Sequence, residues 1–115
     1  MNSGFEIKDT GGSLPQLSFA AFEGSLARDA APLPAWSGAL QALWHDAKGD
    51  WHAAHDRAQE DHSAAGSWVH AYLHRKEGDA GNAAYWYARA GRRPPPAGLE
   101  LAREWEQIAR ALAEG

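Results

Sequence analysis

The sequence predicts an all-α domain, a small stack of antiparallel helix pairs closed by a C-terminal helix. Three observations carry this expectation. Alanine is abundant while Val and Ile are few, a balance that favours helix over sheet. Five segments space their apolar side chains as a helix does, and each is bounded by Gly, Pro or a capping Asp. Two of those boundaries echo each other. Leu43–Asp50 reads LWHDAKGD and Tyr72–Asp79 reads YLHRKEGD, which aligns His45 with His74, Gly49 with Gly78 and Asp50 with Asp79.

Residues 1–31 read as a flexible or partly ordered N-terminal arm, and 32–115 as the helical domain. In the first 14 residues, Gly4, Gly11 and Gly12 lie among polar residues, and Phe5 and Ile7 alternate with charge. Gln16–Asp29 carries Leu17, Ala20, Ala21 and Leu26 at loosely helical spacing, but Gly24 interrupts the pattern. Pro32 and Pro34 mark a break, and Pro34 suits the first turn of a helix. That helix is expected over 34–48, with Trp36, Leu40, Leu43, Trp44 and Ala47 along one side. Gly49 stops it and Asp50 caps the next, over 51–61, whose apolar side holds Trp51, Ala54 and Ala58.

A third helix over 65–77 lines up Trp68, Val69, Tyr72 and Leu73. Gly78 can take the positive φ that closes it, and Asp79 then caps a fourth helix over 80–90. The fourth helix has a face of small residues, Ala80, Ala83, Ala84 and Ala90, beside Tyr87. Helices joined by turns this short lie antiparallel. Gly91 ends the fourth helix, and Pro94-Pro95-Pro96 forbid its continuation. The fifth, over 98–114, shows a stripe of Leu101, Trp105, Ile108 and Leu112, with Glu100, Arg103, Glu104, Glu106 and Arg110 on its wet faces. It is expected to cap the open end of the stack.

A repeat of about 30 residues built from helix pairs is the sequence mark of an α-solenoid. The run Ala83-Ala84-Tyr85-Trp86-Tyr87-Ala88-Arg89-Ala90-Gly91 resembles the second helix of Sel1-like and tetratricopeptide repeats, with Ala71, Gly78 and Ala83 where such repeats place small residues. The resemblance implies a small right-handed stack of helix pairs that binds a protein or peptide. Two copies are fewer than a long solenoid has, and their spacing is shorter than in those families. His70 and His74 belong to neither repeat pattern. The stretch also resembles a group of short bacterial proteins of unknown function, a likeness that implies no activity.

Composition excludes several function classes. A length of 115 residues fits one domain with a real core and leaves no room for a separate catalytic domain. The six tryptophans are expected chiefly as core or interhelix filler. The net charge is −4, and Lys and Arg form no long run, so no nucleic-acid partner is expected. Arg89, Arg92 and Arg93 make only a small basic corner beside the prolines. The absence of Cys removes disulfides and thiolate metal sites and fits a cytoplasmic location. No stretch approaches about 20 apolar residues, so no membrane partner is expected. No serine sits in G-x-S-x-G, and Gly11-Gly12 lacks the Lys of a phosphate loop.

Histidine is the unusual polar feature. His52, His55, Asp56, Gln59 and His62 fall within about a third of the second helix's circumference at 100° per residue. On the third helix, His70, His74 and Glu77 share one side. Two histidines one turn apart can bind one metal ion, and Glu77 is a suitable third ligand. If the second and third helices pack together, His55 or Asp56 approaches His70 and His74 and completes a mixed N/O site. There is no H-E-x-x-H, because Ala-Tyr-Leu separates His70 from His74 and the general base of that motif is missing.

Two functions follow. The first is a non-enzymatic module, without cofactor, that binds a protein or peptide or a second copy of itself. Its groove would present Trp44, His45, His70, His74, Tyr85 and Trp86. The alternative is a metal-binding protein or small metal-dependent enzyme holding a divalent transition metal such as Zn through His55, His70, His74 and Glu77.

Overall fold

Side-chain caps set the helix starts. The computed structural model describes residues 17–114 and holds six helices there: α1 Phe19–Arg28, α2 Gly38–Ala47, α3 Trp51–Glu60, α4 Ala64–Lys76, α5 Ala80–Arg89 and α6 Leu101–Glu114. Ser18, Ser37, Asp50, Ser63 and Asp79 each place a side-chain oxygen on a first-turn N–H of α1 to α5. Ser37 explains why α2 begins after the expected residue 34. Its Oγ accepts from Leu40 N–H, while Trp36 N–H bonds back to Leu33 in a separate turn. Likewise Leu99 N–H bonds Pro96 O, so the chain turns once more before α6.

The segment expected in the N-terminal arm contains α1. Gly24 does not break it, because Phe19, Phe22 and Ser25 bury one face and outweigh the poor propensity of one Gly. Phe22 lies 5.2 Å from Trp36 and 6.0 Å from Trp105 between ring centroids. The expectations for Met1–Leu14 lie outside the described residues.

Two hairpins follow, α2 with α3 and α4 with α5, joined by contacts of α3 and α2 with α4. The sequence echo becomes a shared turn geometry. Gly49 (φ 85°) and Gly78 (φ 88°) both adopt the left-handed conformation. In the first hairpin Asp50 N–H reaches His45 O and Gly49 N–H reaches Asp46 O. In the second, Asp79 N–H reaches His74 O and Gly78 N–H reaches Arg75 O. This pair of bonds is the Schellman closure, and only Gly adopts its positive φ without strain. The loop from α3 to α4 turns on Asp61, which accepts from Ala39 N–H at the start of α2 and from both Ser63 N–H and Ser63 Oγ. Burial would raise its pKa, but these bonds outweigh that and hold it below the usual carboxylate range.

Helix α4 is the centre of the fold and touches α2, α3, α5 and α6. Its residues Gly66, Ser67 and Val69 to His74 are all buried. Helix α6 was expected at the open end of the stack, but it lies along the side, against α2, α4 and α1. Three anchors place it there: Ile108, Ala109 and Ala113 in the core, Trp105 Nε1–H on Leu43 O at 3.0 Å, and the Glu104 carboxylate. Glu104 was expected in water and is only 3% exposed. It accepts from Arg75 Nη1 at 2.8 Å and from the Tyr87 hydroxyl. Buried Asp46 plays a similar part, accepting from Tyr72 O–H at 2.8 Å and Lys76 Nζ at 2.9 Å. Burial and the adjacent carboxylates push both tyrosine hydroxyls up, so they remain donors.

Candidate metal centre

Three imidazoles converge where α3 crosses α4. His55 is one turn beyond Trp51 on α3, and His70 and His74 are one turn apart on α4. One ligating nitrogen from each of the three lies within 4.8 Å of the others. His70 Nε2 and His55 Nε2 are 2.9 Å apart, so one ring donates to the other. His74 uses Nδ1 toward Glu77 Oε2 at 2.7 Å. With Nδ1–H donating to the carboxylate, a neutral ring presents its Nε2 lone pair, the arrangement in which a carboxylate orients a metal-ligating histidine. Glu77 therefore serves as the partner of His74 and does not join the three nitrogens as a fourth equivalent donor.

Two indoles hold the rings in place. Trp51 stacks on His55 at 4.9 Å and 15°, and meets His74 edge-on at 6.2 Å. Its Nε1–H is tied to Leu73 O at 3.1 Å, so it cannot swing. Trp86 of α5 stacks on His70 at 3.9 Å and 17°. The His70 and His74 rings lie 4.9 Å apart and nearly parallel, neighbours one turn apart on α4.

The electrostatics favour the ligating form. Burial first, and then the nearby His55 and His74, push the His70 pKa down to about 4. Burial and His74 also lower His55. Both rings are therefore neutral at pH 7 and can bind a cation without first releasing a bulk proton. A tetrahedral ion with M–N bonds of about 2.0–2.1 Å separates its ligand nitrogens by about 3.3 Å. The His55–His70 pair needs to open only slightly, with one ring moving its proton to Nδ1.

The other expected residues lie elsewhere. Trp44 is 2% exposed, with its Nε1–H on Ser25 Oγ at 3.1 Å, so it lines no groove. Helix α1, which the sequence pattern did not make firm, is what covers it. His45 matches His74 in the repeat, but its ring meets Trp44 edge-on at 5.5 Å and it has no histidine partner. Tyr85 is 54% exposed, edge-on to half-buried Trp86, and Arg89 lies over both rings. His52, Asp56 and His62 are exposed. Trp51 was expected only as packing, although its i, i+4 spacing to His55 could have marked it as the wall of the site.

A second donor group, His74 with Glu77 and Asp79, shares one histidine with the first. Both Asp79 oxygens are already engaged by Asn82, so its role is to cap α5. None of the described helices is long and apolar enough to cross a membrane. Comparison of the chain with family models, curated proteins and solved structures returns no match.

Proposed function

We propose that the chain is a metal-binding protein that holds one divalent transition ion, Zn²⁺ being the reference case, through His55, His70 and His74. The observation that carries this reading is the convergence of three mostly buried imidazoles, with His74 held by Glu77 and two rings held by stacked indoles. Surface histidines do not need such support. Imidazole suits Zn, Cu, Ni and Fe, and an all-nitrogen neutral set disfavours Mg and Ca. The scaffold is read as a short tetratricopeptide- or Sel1-like pair of hairpins, supported by the matching Schellman turns at Gly49 and Gly78.

The test is elemental mass spectrometry of untagged protein, with zinc titration of the apo form and of His70→Ala/His74→Ala. The expected result is one equivalent of metal, lost in the double variant. Bound ion at 100 times its dissociation constant would stabilise the fold by about 2.7 kcal/mol. A folded wild-type protein that takes up no zinc, copper or nickel would overturn the reading.

The second reading is a protein-binding or self-associating module, and exposed Tyr85 beside Arg89 is the observation that favours it. Light scattering of wild type and Tyr85→Ser tests self-association. A monomer at all concentrations in both argues against that form of the reading.

A further inference from the structure

The tri-histidine site supplies three donors where a tetrahedral ion needs four. Among the described residues, no fourth His or carboxylate atom shares the 4.8 Å circle of His55, His70 and His74. Glu77, the nearest acid, is bonded to His74 Nδ1 and would abandon that ring if it turned to the ion. Trp51 and Trp86 cover the faces of His55 and His70 with carbon. Between these walls the site reaches water, because His55 is only half-buried and the Glu77 side chain is 38% exposed.

Charge points the same way. Three neutral imidazoles leave a bound divalent ion with its full double charge. The Glu77 carboxylate offsets part of that charge from across the His74 ring, and Asp56 on α3 is exposed. A partly buried cation so poorly compensated attracts an anionic fourth ligand. The indoles stacked on His55 and His70 favour a small one.

We propose that the loaded site keeps one coordination position open to solvent and takes a small inorganic anion there, with water or hydroxide as the occupant when none is present. This inference rests on the metal-site reading above. Three protein ligands and an exchangeable fourth position distinguish reactive metal sites from closed structural ones. The site is then able to bind and polarise a small anionic or carbonyl-containing substrate.

Cobalt(II) in place of zinc makes the position visible, because its d–d bands report coordination number and ligand type. Wild-type apo protein is loaded with one equivalent of cobalt, and sodium azide is titrated in while visible spectra are recorded. The expected result is a change in band shape and position that saturates at one azide per cobalt and reverses on dialysis. Cobalt that binds tightly but whose spectrum ignores azide would overturn the open position and leave the metal site standing. Cobalt that does not bind would overturn both. Loss of cobalt to the solution as azide is added, seen by equilibrium dialysis, would also overturn the proposal.

Discussion

Replacing Gly66 by Ala separates the requirements of the fold from helix propensity. Gly66 lies in the first turn of α4, its N–H accepted by the capping Ser63 Oγ at 3.1 Å. A Cβ there would lie 1.9 Å from the Asp61 carbonyl oxygen and 2.8 Å from Asp61 Cβ. That obstacle is backbone and cannot rotate away. Relief requires Asp61 to retreat, but Asp61 holds the starts of both α2 and α4 through Ala39 and Ser63. Overpacking of this kind costs about 1–3 kcal/mol. A weakened cap costs about 0.5–2 kcal/mol, and the better helix propensity of Ala returns about 1 kcal/mol. The net expectation is a loss of about 2–3 kcal/mol. The control is Gly24→Ala in α1, where the added Cβ meets only the movable end of Arg28 at 2.9 Å. It should be neutral or stabilising by up to about 1 kcal/mol. Urea unfolding followed by tryptophan fluorescence measures both, and a slope of about 1–3 kcal/mol per molar makes the Gly66 effect a shift of about 0.7–3 M in midpoint. Equal midpoints for Gly66→Ala and wild type would refute the close approach of α4 to Asp61.

Three further outcomes are expected. The His70 pKa of about 4 lies below the unfolded value of about 6.5, so the unfolded chain binds more protons between these pH values. Apo stability should be full above pH 6.5 and fall as the pH drops through that window, by an order of 3 kcal/mol; denaturant midpoints of wild type and His70→Asn test this, and equal pH slopes would refute it. Glu77→Gln should weaken zinc affinity about 10- to 100-fold by loosening His74 while leaving apo stability nearly unchanged, as competitive chelator titration and urea unfolding can show. Glu104→Ala leaves Arg75 and Tyr87 without their shared acceptor and should cost about 3–5 kcal/mol, whereas Glu106→Ala, whose partner Arg110 is exposed, should change thermal stability by less than about 1 kcal/mol.

Local signals in the sequence sufficed at the two Gly-Asp turns and along the histidine-bearing helix faces, which depend on neighbours along the chain. Gly49 and Gly78 followed by Asp50 and Asp79 announce a helix end and the next helix start, and both turns form there. The i, i+4 pair His70 and His74 and its i+7 neighbour Glu77 were legible for the same reason, as was the side of α3 that carries His55. The features that were hidden depend on contacts distant in sequence. Glu104 looks like a solvated charge until Arg75, 29 positions earlier, is placed beside it. Trp44 looks like a groove aromatic until α1 supplies Ser25 and covers it. Gly24 looks like a break because propensity is read one residue at a time, whereas burial of Phe19 and Phe22 acts on the whole helix. Trp86 was expected as a groove residue, and only the pairing of α5 with α4 turns its ring onto His70.

Helix α4, enclosed by four neighbours, has a consequence for how fast an ion could leave. Among the described residues, the amides of Val69 to Leu73 sit in the helix enclosed on most sides, so their hydrogen exchange should require global unfolding. His55 rides on α3, which packs against α2 and α4 and whose outward residues face water. Two of the proposed ligands thus belong to the slowest-opening of the described helices and the third to a peripheral one. Release of an ion becomes a hinged event in which α3 lifts while α4 keeps its grip. The residence time would follow the local opening of one short helix and would be far shorter than the lifetime of the fold.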